Sequence, residues 1–171
     1  MDYYLELINR NRRKGILIDT QPLLLLFVGN YNINLLRGFK RTASYSKYDY
    51  DLLTRILDKF KKIVITPNIL TEVSNFLGQL SGGITQEHGL WISALVKDFQ
   101  EKFTPSANLI SHKHFYKFGL TDLATLDNAK GKYLVLTDDF PLFGYLQNCG
   151  VDVINFTQIR TMDWFPEVLR S

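Results

Sequence analysis

The sequence holds a single cysteine among its 171 residues, Cys149, so no disulfide can close within the chain, and a reducing compartment, the cytoplasm, is the expected home. Long hydrophobic runs are missing too. The longest fully apolar stretch, Leu23 to Gly29, falls far short of the ~20 residues a spanning helix requires, so no membrane association is expected. The N-terminus, Met1-Asp2-Tyr3-Tyr4-Leu5-Glu6, carries acids where a secretory signal carries positive charge, which argues against export. Internal repeats and low-complexity segments are absent, and no serine sits on a nucleophile elbow. Because Cys149 closes a helical pattern, Cys-His chemistry lacks support as well. With 46% hydrophobic and 22% charged residues, the chain has enough apolar material for an ordinary folded core, and its length suits one domain over residues 1–171.

What the chain does have is a pair of short apolar runs that end in acid. Tyr133-Leu134-Val135-Leu136-Thr137-Asp138-Asp139 is rich in branched residues and is followed at Pro141 and Leu142 by a helical pattern. It reads as a buried parallel strand that delivers carboxylates at its C-terminal end. Gly15-Ile16-Leu17-Ile18-Asp19-Thr20 repeats the grammar. In open α/β sheets, ligands gather outside such strand ends. Ile63-Val64-Ile65 and Val151-Asp152-Val153-Ile154 supply two further strands. Helical patterns run from Pro22, from Tyr50 to Phe60, from Pro67 with Thr66 as cap, from Gln86 to Phe103, from a Thr121 cap with Asp122 in the first turn, and from Pro141 to Asn148. Strands and helices alternate, so the expected class is α/β with a central, mostly parallel sheet flanked by helices.

Leu109 to His114 reads as a short extended piece in which His112 and His114 share a face without further metal ligands at convincing spacing. Asp127 falls on the apolar stripe of its helix, where a small residue is expected. The tail from Thr157 to Ser171, with Trp164 and Phe165, is expected to add a terminal helix.

The net charge of +3 permits a polyanionic partner, and its distribution is more informative. Arg10, Arg12, Arg13 and Lys14 crowd a lead-in over residues 1–15, and Lys40 and Arg41 lie in an excursion from Gly29 to Tyr48 that interleaves aromatic side chains. These six are candidate RNA contacts, although both clusters also suit a solvated surface.

Asp19, Glu72, Asp122 and Asp139 are distant in sequence, yet each follows a strand or sits on a helix beside one. Taken singly they have ordinary explanations, as an N-cap, a turn residue or helix-end charges. If the strands are parallel, these positions converge. Four carboxylates in one pocket raise each other's pKa, and a hard divalent cation with oxygen ligands, Mg²⁺ or Mn²⁺, is the natural compensation. One ion, or a pair about 4 Å apart, can activate water and stabilise charge on a phosphate under in-line attack.

At these residues the sequence resembles the PIN domain family of metal-dependent nucleases. The resemblance spans Ile16 to Phe156 and rests on Ile18-Asp19-Thr20, Thr66-Pro67 followed by Glu72, Leu120-Thr121-Asp122 followed by Leu126, and Thr137-Asp138-Asp139. It implies a three-layer fold and an acidic cluster that binds Mg²⁺ or Mn²⁺, with Asp19, Glu72, Asp122 and Asp139 as ligands, Asp138 as an additional acid and Thr137 as an orienting hydroxyl. It further implies RNA as substrate, cut by metal-activated water to leave a 5′-phosphate and a 3′-hydroxyl. Many small bacterial members are VapC-type toxins held by an antitoxin, and exposed aromatic residues near both ends would suit an antitoxin groove or a homodimer. Three departures bear on the toxin assignment: the lead-in of fifteen residues, the long excursion after Gly29, and Pro141 where many relatives place a further acid.

The expectation is therefore a metal-dependent endoribonuclease. The alternative is a non-catalytic RNA-binding or partner-binding module on the same fold, which would bind with marked salt dependence and never cut. A phosphatase with Asp19 as nucleophile is disfavoured, because Gln21 stands where its general acid would be.

Overall fold

Five short strands, β1 (Ile16–Ile18), β2 (Ile63–Ile65), β3 (Gln100–Glu101), β4 (Leu134–Thr137) and β5 (Val153–Asn155), pair in the order β3-β2-β1-β4-β5, every pair parallel. The structure, a computed structural model, describes residues 2–80 and 86–162. β1, β4 and β5 are buried along their whole length, which is why their sequences run apolar without alternation. Ile16 pairs with Ile63 on one side and Leu134 on the other, so β2, β1 and β4 start side by side.

Among the described residues the helices are α1 (Asp2–Asn11), α2 (Thr20–Tyr31), α3 (Leu35–Gly38), α4 (Lys47–Leu57), α5 (Pro67–Leu77), α6 (Gln86–Val96), α7 (Ser106–Ile110), α8 (Phe115–Ala129), α9 (Phe140–Asn148) and α10 (Phe156–Arg160). From β1 the chain moves outward through β2 to β3, then returns to β4 and moves the other way to β5. Right-handed crossovers place the first set of connections on one face of the sheet and the second on the other. The packing agrees: α2 lies against α4, α5 and α6, and α8 against α7 and α9, while α5 and α8 also meet, where Glu72 binds Thr121. The result is a three-layer α/β fold. Its winding reverses between β1 and β4, the position at which open sheets form a crevice outside the strand ends. α2, apolar on every side from Pro22 to Val28, is buried on every side. No helix among the described residues is long and apolar enough to cross a membrane.

Several local expectations are corrected. The lead-in is the helix α1, which buries Leu7 and Ile8. The pattern read as one helix from Gln86 to Phe103 stops at Val96, and Gln100-Glu101 then pairs with β2. Two polar residues on a sheet edge carry no strand signature of their own; pairing decides their conformation. Leu109 to His114 is not extended: α7 ends at Ile110 and a turn follows, with Ser111 Oγ donating to the Asn108 carbonyl. α8 starts earlier than Thr121 and is broken at Gly119, whose φ of 70° and ψ of −171° suit only glycine. Thr121 therefore does not cap this helix. Two expectations stand: the excursion after Gly29 is partly helical, with α3 and turns, and the tail forms the helix α10, followed by a turn to Met162; Trp164 and Phe165 lie outside the described residues.

Candidate active site

The sheet's C-terminal edge collects the acids. Asp19 follows β1 directly and caps α2, accepting a hydrogen bond from the Thr20 amide at 2.7 Å. Its other oxygen accepts from Thr137 Oγ1 at 2.6 Å, across from the end of the neighbouring strand β4. Asp19 is buried. Burial is the main reason its pKa is pushed up to about 6; the charges of Glu72 and Asp139 add to it, and the bonds from Thr137 and Thr20 oppose it.

Glu72 projects from α5, which the Thr66 cap and Pro67 start just beyond β2. One carboxylate oxygen accepts from Thr20 Oγ1 at 2.8 Å and the other from the Thr121 hydroxyl, so Glu72 ties α2 to α8. Asp122 stands one residue beyond Thr121, after the Gly119 break. Its pKa is pushed up to about 7 by burial and then by Asp19, Asp139 and Glu72 in turn, every contribution upward. Among the described residues its side chain makes no hydrogen bond and no ion pair. Asp139 is exposed and caps α9, accepting from the Leu142 amide at 2.7 Å, while its own amide donates to Thr137 Oγ1 at 3.1 Å. The four acids thus act on one another's charge from the ends of two strands and two helices, with Asp19 at the closed side and Asp139 at the open side.

Asp138 stands apart from this group. Its carboxylate accepts from the Tyr45 and Thr157 hydroxyls, and its charge is absent from those that shift Asp19 and Asp122. The Tyr45 hydroxyl is held protonated by burial and by that neighbouring charge. Sequence reasoning missed Tyr45 and Thr157, and it read Thr20 and Thr121 as motif and cap residues without their bonds to Glu72. A lone hydroxyl carries no periodic signal, so only the folded contacts reveal these roles.

No family model matches the chain, and no curated protein is significantly similar to it.

In kind, the donor set fits a hard divalent cation: it is all oxygen, and among the described residues no Lys or Arg offsets the charge around Asp122. Among the described residues, however, no three Asp, Glu, His or Cys side chains are arranged to hold an ion as they stand. The hydrogen bonds explain why. Glu72, Asp19 and Asp139 each direct oxygens at hydroxyls or amides, which relieves like-charge repulsion.

The other sequence candidates lie elsewhere. Arg10 is paired with Asp152, and Arg12, Arg13 and Lys14 precede β1 at the opposite edge of the sheet from the acids. Arg41 stacks over the Phe76 ring at 4.2 Å and its Nε donates to Gln79; Lys40 is exposed beside Phe39. Asp127 is exposed and accepts from Thr104 Oγ1 at 2.6 Å, which fastens α8 to the segment after β3 and leaves it outside the acidic group. His112 Nδ1 accepts from the His114 amide, and the His114 ring leans on Tyr145. Phe118 of α8 and Tyr145 of α9 stack at 4.1 Å, and Phe140, next to Asp139, is 51% exposed. The two helices that carry Asp122 and Asp139 therefore also carry an aromatic shelf.

Proposed function

We propose that this chain is a metal-dependent endoribonuclease acting in the cytoplasm, with Mg²⁺ or Mn²⁺ held by Asp19, Glu72, Asp122 and Asp139. The observation that carries the reading is the mutual charge effect of these four carboxylates around the β1/β4 switch point, with no Lys or Arg among the described residues to balance Asp122. Bound there, a divalent ion supplies water activation and charge stabilisation at a phosphate. The chain's own residues do the rest. Thr137 fixes the Asp19 carboxylate and the Asp139 amide at once, and Thr20 and Thr121 orient Glu72. Asp122 is the group left free to change partner. Phe140, exposed next to Asp139, offers a π face at the open side, where an unpaired base can rest.

The test is cleavage of a mixed set of labelled RNAs in Mg²⁺, Mn²⁺ or chelator, with Asp122→Asn purified identically. Metal-dependent products from the unsubstituted protein alone are expected. Equal cutting by both proteins, or none in either metal, would contradict the proposal.

A further inference from the structure

The edge of the sheet opposite the acids is strongly basic. Arg12, Arg13 and Lys14 lead into β1, Lys61 and Lys62 into β2, and Lys132 into β4. All six are exposed, and among the described residues none takes part in an ion pair. The acids near this edge are few: Asp152 is already held by Arg10 and Asn11, and Glu6 acts on Arg10 from one turn earlier in α1, which leaves Asp58. α1, α4 and α8 all end here, and helix C-termini favour cations, but one or two per helix would satisfy that preference.

The cations sit on a stiff base. The Lys61 amide donates to the Arg12 carbonyl at 2.9 Å, the Ile16 amide to the Lys62 carbonyl at 3.0 Å, and the Leu134 amide to the Gly15 carbonyl at 3.2 Å. Gly15 permits this closeness; a Cβ there would lie 3.0 Å from the Lys62 carbonyl oxygen. Three adjacent strand starts, about 10 Å across, thus present these side chains from a fixed backbone. Between them are two grooves, one of about 350 Å³ beside Lys14 and Lys132 and one of about 500 Å³ beside Arg12, Arg13 and Lys61.

We propose that this basic edge is a second nucleic-acid site, one that grips the phosphate backbone and is separate from the acidic cleft. Nucleic acid is favoured over a membrane or an acidic protein because the exposed large apolar side chains, such as Tyr116, Phe140 and Leu90, all lie outside the segments that lead into β1, β2 and β4. Charge without apolar anchors suits a phosphate chain. The strands place this edge on the order of 10 Å or more from the acids, so an RNA engaged there is held without occupying the cleft. The reading does not depend on whether the cleft cuts.

Binding of a fluorescent 20-nucleotide RNA, followed by anisotropy in chelator across a salt series, tests it. The triple variant Arg13→Glu, Lys62→Glu, Lys132→Glu is expected to bind at least about tenfold more weakly, with a log–log salt slope shallower by about 2. Lys132→Glu alone, at an exposed position, should reduce the slope by about 0.7. Metal-dependent cleavage of a tetranucleotide should be unchanged in both, and thermal melts report their folding. Unchanged affinity and slope would overturn the proposal. So would binding of phosphatidylserine vesicles or polyglutamate, but not RNA, at the six residues.

Discussion

Asp122 is the residue on which the candidate site turns. It is largely withdrawn from water, faces three like charges and has no hydrogen bond among the described residues, so its ionised form is held against its own preference. Asp122→Asn removes that cost while nearly preserving shape. RNA cleavage is expected to fall by at least about 100-fold, more than the loss of a mere supporting partner causes, while stability in urea at pH 8 rises by about 1–3 kcal/mol. A variant that is inactive and less stable would count against the crowding argument. Thr137→Val tests the opposite case. It removes the hydroxyl that serves Asp19 and the Asp139 amide together, so urea melts should show a loss of about 1–3 kcal/mol and rate measurements a loss of about 10–100-fold.

Among the elements, α8 is the one whose form decides the site. Gly119 turns the chain so that Thr121 reaches Glu72 and Asp122 joins the acids. Gly119→Ala forces a side chain into a backbone region that only glycine occupies easily, at about 1–3 kcal/mol. The expected result is a lower melting temperature together with slower cleavage; an unaltered rate would show that the break is incidental to the site. The same element marks where the sequence stopped being legible. Ile16–Ile18, Ile63–Ile65 and Leu134–Thr137 announced themselves as strands because burial on both faces demands continuous apolar residues, and Thr66-Pro67 announced a helix because cap and first-turn chemistry are local. Asp19, Glu72, Asp122 and Asp139 are legible as a group because each follows a recognisable strand or sits on a helix beside one. The Gly119 break, β3 and the turn after α7 depend on tertiary contacts and on one backbone angle, and neither leaves a periodic trace. Asp138 enters the group only through the resemblance; in the fold its carboxylate is taken by the Tyr45 and Thr157 hydroxyls, because consecutive residues leaving a strand point in different directions.

Across the three central strands, charge is divided between two ends: Asp19 and Asp139 lie beyond the ends of β1 and β4, and Arg12, Arg13, Lys14, Lys61, Lys62 and Lys132 lead into β1, β2 and β4. The acidic end fixes how stability depends on pH. Asp19 and Asp122 titrate at about 6 and about 7 in the folded chain, above their usual 3.8. Between those values the folded state binds more protons than the unfolded one. Their destabilising effect is therefore absent below about pH 4, grows as pH rises to about 7 and stays constant above that. In chelator, this pair should make the protein more stable to urea at pH 5 than at pH 8, and Asp122→Asn should flatten the difference. A profile that rises from pH 5 to 8, in the protein and the variant alike, would rule the pair out as its source.

The most direct test of whether these acids form one cation site is calorimetric titration of Mn²⁺ into metal-free protein at pH 6.5, in two buffers of different ionisation enthalpy. Saturable binding that releases about one proton, with both the binding and the release lost in Asp122→Asn, is the expected result. No saturable binding, or identical isotherms for the protein and the variant, would contradict it.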